Sequence, residues 1–260
     1  MEKQTYNTNK SALLQAEIPK ESRTYKPYTH QQVIDITLES IEKSGFKLES
    51  ESYTAANGGL IATGKYSIKN VADNEMSLQI AWLNSYNKTK RLTWGVGSVV
   101  KICQNGMISA DLGAFKKKHM GEINEFAPKT ITEYVKRAQD VFKKMQEERE
   151  LMKEVQIDKT ITAHILGELF LNEELVTTTQ LNIIKREIEM PSFDYGSDNS
   201  LWQLYNHLTL SLKEIHPSLY MKSHMDGHRY FVNKSGILEK GVSLPASDIS
   251  PNQLSLLENV

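Results

Sequence analysis

Two neighbouring stretches decide the fold: SLQIAWLNSY, residues 77–86, and RLTWGVGSVVKIC, residues 91–103. In both stretches apolar residues recur at every second position. They are Leu78, Ile80 and Trp82 in the first, and Leu92, Trp94, Val96, Val100 and Ile102 in the second. Successive side chains of a strand point to opposite faces, so a period of two predicts strands with one packed and one more polar face. Two such strands separated by a short turn are typical of an antiparallel sheet.

The strand pattern extends upstream of these two stretches. In GLIATGKYSIK, residues 59–69, one face carries Leu60, Ala62, Tyr66 and Ile68. Turn-forming residues separate the predicted strands; they are Asn57-Gly58, Asp73-Asn74 and Asn87-Lys88-Thr89. The sequence therefore predicts a meander of about four strands, which ends near residue 110.

Helices are predicted on both sides of the sheet. Thr29 and Gln32 fit a capping box, which predicts a helix that ends at Ser44-Gly45. From Thr130 apolar residues recur at helical spacing as far as Met152, and Pro128 stands where a helix start tolerates proline. Further helices are predicted over 160–171 and 178–189, and after Ser200, and a short strand is predicted in HRYFV, residues 228–232.

This order of elements predicts an α+β fold. An antiparallel meander sheet is preceded by one helix and followed by a long helix and a helical C-terminal half. Residues 1–27 are polar and without a period, which predicts a flexible N-terminal arm. Residues 28–128 would form the helix and sheet, and residues 129–260 a mainly helical part packed on the sheet, within one compact domain.

The composition narrows the class of protein. The chain has 260 residues, 39% of them hydrophobic and 24% charged, and a net charge of −1. One cysteine excludes an intramolecular disulfide framework and the cysteine-rich zinc sites. The polar start lacks the apolar segment of a signal peptide, and no apolar run approaches the roughly 20 residues of a membrane span. We expect a cytoplasmic protein with no membrane partner and no cofactor.

The charge is unevenly distributed along the chain. Residues 84–129 carry eight Lys and Arg against three acids, and residues 147–190 carry ten acids against five bases. A basic segment can attract polyanions even when the molecule as a whole is nearly neutral. The alternative is an ordinary solvated surface.

Three catalytic motifs are incomplete or absent in this sequence. The glycine and lysine spacing of a phosphate-binding loop is present from Gly59 to Lys65, but Tyr66 stands where a magnesium-binding Ser or Thr is needed. His207 is followed two residues later by threonine, but the two-histidine phosphoesterases need a second such motif. No lysine has Asp or Glu two positions before it, which excludes the restriction-type nuclease motif.

The only cysteine lies in KICQNGMIS, residues 101–109. A nucleophilic Cys103 would need a base, and His119 is the nearest histidine in sequence. At the end of an apolar strand we expect Cys103 to serve as a small hydrophobic residue. Asn105-Gly106 would form the turn that leaves the sheet.

A metal site is an alternative at His216, His224 and His228, where two histidines and a carboxylate, Asp226, lie close in sequence. Asp226-Gly227 is a turn signal, so we do not expect the histidines to share one face of a helix.

A nucleic-acid interface is the best-supported site. Basic residues interleaved with aromatic ones suit a groove that binds a strand. The candidate residues are Tyr86, Lys88, Lys90 and Arg91 on the hairpin, and Lys116, Lys117 and Lys118 after the sheet. Trp82 and Trp94 alternate in phase with the aliphatic positions, so we assign them to the core.

From Ser85 to His119 the chain resembles the phage/plasmid-like protein family, a domain of unknown function from mobile elements. The resemblance rests on Cys103-Gln104-Asn105, on His119, and on the charged helix that follows. A second matching segment is SLWQLYNHLT, residues 200–209, through Trp202, Tyr205, Asn206 and Thr209. The likeness covers about residues 29–215, and it implies a mobile-element origin without established catalytic residues. The layout also resembles that of single-strand annealing recombinases, which oligomerise and bind a strand in a basic groove.

We therefore expect a non-enzymatic phage or plasmid protein that binds nucleic acid, single-stranded DNA in preference, in replication, recombination or protection of the element's DNA. We expect no catalytic residues. The resemblance to the recombinases implies that the protein forms a homo-oligomer. The alternative is an anti-defence or host-takeover protein that binds a host protein. A third hypothesis is an enzyme of an unrecognised type.

Overall fold

A twisted antiparallel sheet is the centre of the fold. The computed structural model describes residues 6–69, 73–109, 113–213 and 215–239, and within these ranges the sheet has seven strands. They are β1 (Asn7–Thr8), β2 (Leu48–Ala56), β3 (Ile61–Ile68), β4 (Met76–Ser85), β5 (Leu92–Val100), β6 (Asn105–Ile108) and β7 (Ala114–Lys117). Strands β1 to β6 pair in chain order, whereas β7 returns to pair with β5. The predicted α+β class and antiparallel meander are confirmed.

The helices of the described residues surround this sheet. They are α1 (Lys10–Leu13), α2 (His30–Lys43), α3 (Ile123–Lys136), α4 (Ala138–Glu154), α5 (Lys159–Gly167), α6 (Thr178–Glu189), α7 (Leu201–Ser211) and α8 (Pro217–Glu239). A short π-helix, Glu168–Asn172, continues α5. The capping box of Thr29 and Gln32 at the start of α2 is confirmed, as is the Ser200 cap of α7.

The predicted alternation sets the inner face of the sheet. Trp82 and Trp94 are cross-strand partners, both are completely buried, and they belong to the large core formed with α2, α3 and α4. The Trp94 indole donates to the Thr37 hydroxyl at 3.1 Å, which fixes α2 on the sheet. Both tryptophans are therefore core residues, as expected.

The outer face is less polar than the sequence suggested. All residues of β4 and β5 are buried, because the first turns of α8 cover their second face. Met221 and Met225 of α8 pack there against Ala81 and Leu83. The predicted strand in HRYFV, residues 228–232, is wrong, since these residues are part of α8.

The predicted long helix from Thr130 consists of two helices. The first, α3, begins seven residues earlier than expected, at Ile123, so Pro128 lies inside it rather than at its start. The chain bends at Arg137 and continues as α4. Ile131 and Val135 of α3 are both fully buried against the sheet, which is the face that the helical spacing predicted.

The turn that follows β5 lies earlier in the chain than predicted. The strand ends at Val100, and the turn is formed by Lys101–Gln104, with Gln104 in the left-handed region at φ 58°. Asn105-Gly106 is therefore not a turn but the start of β6. Ile102 is 53% exposed, because it belongs to the turn rather than to the strand.

The N-terminal segment is packed on the sheet, in contrast to the expected flexible arm. Residues of β1 pair with Tyr53 and Thr54 of β2, and Leu13 of α1 is 1% exposed. This packing explains why residue 59 is a glycine, because a Cβ at that position would lie 2.6 Å from the Cβ of Ala16.

Candidate nucleic-acid interface

The loop of the β4–β5 hairpin, Tyr86–Arg91, is held in one conformation by its own side chains. The Ser85 hydroxyl binds both the amide and the carbonyl of Lys90, at 3.1 and 3.2 Å. The Asn87 side chain accepts from the amide and the hydroxyl of Thr89, at 3.2 and 2.6 Å. Lys88 takes a φ of 64°, which a non-glycine residue adopts at a tight turn. The basic side chains are thus presented from a rigid turn.

Strand β7 brings the second basic segment to the same end of the sheet. It pairs antiparallel with the start of β5, with Lys117 opposite Leu92 and Lys116 opposite Thr93. Lys118 follows β7 directly and so lies beside the residue that precedes β5, Arg91. The pairing therefore joins two segments that are more than 20 residues apart in sequence.

A pocket of about 340 Å³ lies between these segments. Four of its lining residues are the basic Lys88, Lys90, Arg91 and Lys118, which we call the basic pocket residues. The other lining residues are Thr24, Tyr25, Thr89, His119 and Met120, so no carboxylate lines the pocket among the residues described. Four of the seven predicted residues therefore meet at one site.

His119 forms a wall of this pocket and is 6% exposed. Its Nδ1 accepts from the Tyr28 amide at 3.4 Å, which places the proton of the neutral ring on Nε2. Nε2 has no hydrogen-bond partner among the described residues. Burial lowers the pKa of His119 to about 4, so the ring is neutral at pH 7. A buried N–H without a partner costs free energy, and a ligand acceptor in the pocket would satisfy it.

Tyr25 provides an aromatic wall opposite the hairpin. Its ring lies 5.6 Å from the His119 ring, and the Lys88 ammonium lies 4.7 Å from its centroid. The Lys26 amide donates to the His119 carbonyl at 2.8 Å, so this part of the chain is tied to the end of β7. Sequence reasoning missed Tyr25 because it placed the residue in a flexible arm. It noted His119 only by its distance from Cys103 and by the family resemblance.

Tyr86, which was expected to stack on a base, is unavailable for that role. It is 4% exposed, and its ring stacks on the His30 ring at 3.9 Å. Its hydroxyl accepts from the His30 amide at 2.7 Å, so the side chain fixes the start of α2. Tyr86 is therefore a packing residue that does not line the basic pocket.

The three consecutive lysines do not form one patch. The Lys117 ammonium lies 4.3 Å from the centroid of the Phe126 ring of α3. Lys116 is exposed on the opposite face of β7, as alternation along a strand requires. Lys118 alone of the three lines the pocket.

Cys103 is buried, and its thiol points back to the Val100 carbonyl at 3.8 Å. Burial, the largest influence, raises the pKa of the thiol, which disfavours the thiolate of a nucleophile. His119 lies at the far end of β5 and not beside it. These facts agree with a packing role for Cys103.

His224 and His228 of the alternative metal site lie within α8, and His216 directly precedes it; the predicted turn at Asp226-Gly227 is wrong, since these residues are within the helix. His216 bonds to the Ser218 hydroxyl at 2.8 Å, and His228 Nε2 lies 3.1 Å from Glu148. In the described part of the chain, no three His, Cys, Asp or Glu side chains are grouped as a metal site requires. Likewise, none of the helices described is both long and apolar enough to cross a membrane.

The two segments that carry the family resemblance are in contact. The Asn105 side-chain amide donates to the Asn206 carbonyl of α7 at 3.1 Å, deep in the core. The fold and the pocket define an α+β protein with a basic site at one end of its sheet. The chain belongs to the family described as Domain of unknown function (DUF932), which it matches over residues 20–229, more than half of its length. No curated protein and no solved structure gives a significant match.

Proposed function

We propose that this protein binds single-stranded DNA through the basic pocket and acts, without catalysis, in the replication, recombination or protection of a phage's or plasmid's DNA. The observation that carries the proposal is the convergence of the four basic pocket residues on one cavity, together with the unpaired Nε2–H of His119. We further propose that the protein acts in the cytoplasm of the host cell and that several copies assemble along one DNA strand.

The charges of the pocket favour an anionic ligand. None of the four basic pocket residues forms an ion pair with a described residue, so their attraction is not offset locally. Positive side chains that neutralise phosphates release counterions, which supplies most of the affinity for a nucleic-acid backbone.

The shape of the pocket favours a single strand over a duplex. A volume of about 340 Å³ between the hairpin loop and the residues that follow β7 accommodates one flipped-out base rather than a helix. The bases of a duplex are stacked inside and cannot enter without unpairing. His119 Nε2–H would donate to the base or its phosphate.

Fluorescence anisotropy with a labelled single strand and the matching duplex tests the proposal. If each of the four cations neutralises one phosphate, the logarithm of the association constant should fall with the logarithm of salt at a slope of about −3. Affinity for the duplex should be lower at every salt concentration. No binding of the single strand at low salt would refute the proposal.

Two matched variants locate the site. Lys118→Gln removes a pocket charge and should reduce the steepness of the salt slope by about 0.7. Lys116→Gln removes an exposed charge two residues away that does not line the pocket, and it should leave the slope unchanged. Equal effects of the two variants would show that binding depends on general charge and not on this pocket.

A second candidate is a protein partner on the acidic helices, as in an anti-defence protein. Leu171 of the π-helix is 72% exposed, and Met190, directly after α6, is 74% exposed, which is unusual for large apolar side chains. Surfaces of this kind favour contact with another protein. In that case Leu171→Ser and Met190→Ser would abolish capture of a host protein while leaving DNA affinity unchanged.

A further inference from the structure

A second pocket lies on the outer face of the sheet, between strands β3, β4 and β6, the end of α7 and the first turns of α8. It encloses about 290 Å³, and its polar walls include Lys65, Gln79, Lys213, Tyr220 and His224. Val99 at the end of β5 also lines it, whereas Arg91 precedes β5 at the basic pocket. Val99 lies eight positions after Arg91 along β5, a distance of about 26 Å, so the two pockets are independent sites.

His224 is the first sign that this pocket receives a ligand. It is 2% exposed, and neither ring nitrogen has a hydrogen-bond partner of ordinary geometry. Burial lowers its pKa to about 3, with a smaller contribution from Lys65, and the Gly106 backbone opposes the shift only in part. The neutral His224 ring therefore has a buried N–H donor and a buried lone pair without partners, which costs free energy. A ligand that bonds to either group would offset this cost.

Two lysines enter the pocket without a carboxylate partner. Lys65 forms no ion pair with a described residue; its ammonium lies 5.1 Å from the centroid of the Tyr220 ring. Lys213 donates to the Cys103 carbonyl and leaves two of its three N–H groups for other acceptors. Burial, and then the nearby Lys213, lowers the pKa of Lys65.

Glu51 does not neutralise these lysines. It also lies along the pocket, but alternation along β2 assigns its side chain to the inner face, where its carboxylate accepts from the Tyr53 hydroxyl at 2.9 Å. Among the lining residues described, it is the single carboxylate.

The floor of the pocket is fitted closely around Gly106. A Cβ at this position would lie 2.7 Å from the Tyr220 hydroxyl and 3.0 Å from Gln79 Oε1. Glycine therefore allows the tyrosine hydroxyl and the glutamine amide to lie side by side against β6, with the hydroxyl 3.5 Å from that oxygen.

We propose that this pocket binds a small molecule that carries a phosphate group. Two ammonium groups match the double negative charge of a phosphate monoester, whereas a single carboxylate would leave one of them unbalanced. His224 supplies a neutral N–H donor for a remaining oxygen. The volume is at the lower end of the range for small-molecule sites, which suits a phosphorylated metabolite rather than a polymer.

Titration of the full chain with inorganic phosphate tests the proposal, by calorimetry at constant ionic strength. Wild-type protein and Lys118→Gln should bind phosphate equally, while Lys65→Met should bind at least tenfold more weakly, since it loses one charge-assisted hydrogen bond. Acetate should bind at least tenfold more weakly than phosphate. Absence of phosphate binding, equal binding of acetate, or full binding by Lys65→Met would each overturn the proposal.

The His224 ring provides a readout that does not depend on a variant. Long-range proton–nitrogen NMR should show its ring signals shifting with the phosphate titration, whereas those of His119 stay in place. Shifts at His119 alone would assign the phosphate to the basic pocket and would refute a site on the outer face. Lys65→Met should leave the affinity for single-stranded DNA unchanged, so failure of one proposal does not imply failure of the other.

Discussion

Four buried histidines predict that the protein loses much of its stability between pH 7 and pH 5. Burial is the largest influence on each, and it lowers the pKa of His30, His119 and His207 to about 4 and that of His224 to about 3. In the unfolded chain each ring would titrate near the ordinary value of about 6.5. The unfolded state therefore binds more protons than the folded state throughout this interval.

The sign and size of the effect follow from these differences. The stabilisation is fully present above about pH 6.5 and is lost as the pH falls toward 4, because only the unfolded chain takes up the protons. At pH 5 each histidine lowers the free energy of unfolding by about 2 kcal/mol, or about 8 kcal/mol for the four. Domains are stable by about 5–15 kcal/mol, so this loss removes half or more of the stability by pH 5.

Urea denaturation followed by circular dichroism, at half-unit steps from pH 7 to pH 5, measures this loss. Near pH 5.5 the free energy of unfolding should change by nearly 5 kcal/mol per pH unit, about 1.2 kcal/mol for each ring. His207→Phe and His207→Gln should each reduce that slope by about 1.2 kcal/mol per pH unit, whatever they do to stability at pH 7. A stability that stays flat across the interval, or a slope that neither variant changes, would refute the reasoning.

Three further substitutions, all measured by urea denaturation at pH 7, test the packing. Asp73→Asn should cost about 2 kcal/mol, because it removes the buried carboxylate that lies 2.8 Å from the Arg149 guanidinium, while Glu150 remains as an ion-pair partner of Arg149; a loss below about 0.5 kcal/mol would contradict this. Gly97→Ala should cost about 3 kcal/mol, since its Cβ would lie 1.9 Å from a carbonyl oxygen of β6; wild-type stability would disprove that contact. Tyr86→Phe should cost about 1–3 kcal/mol, as the His30 amide loses its acceptor, yet leave affinity for DNA unchanged; weaker binding would return Tyr86 to the interface.

The sheet could be predicted because its pattern is local. Alternation around Trp82 and Trp94 determines which residues share a face, and turn residues mark where strands end. The helical conformation of α8 could not be predicted in this way. Its buried positions include polar residues such as His224 and His228, because it packs on the sheet, α7 and α4 at once, and so no single apolar stripe appears.

The basic pocket could be predicted in part. Lys88, Lys90 and Arg91 are close in sequence, and their exposure follows from the turn. That Lys118 joins them depends on the pairing of β7 with β5, which is a long-range contact that no local pattern contains. The direction of the Tyr86 side chain depends on its contact with His30, 56 residues away, for the same reason.

The division of the β5 edge between two strands has a dynamic consequence. Strand β6 pairs with Gly97–Val100 and β7 with Leu92–Gly95, so separate hydrogen bonds hold the two halves. No residue of β7 is fully buried, in contrast to β6, and we therefore expect β7 to open locally at a lower free energy than the rest of the sheet. Its opening would remove Lys118 and His119 from the hairpin while the core stays closed. A DNA strand bound to the hairpin and to Lys118 at the same time would oppose this opening. It would therefore slow amide exchange in β7 far more than in β6.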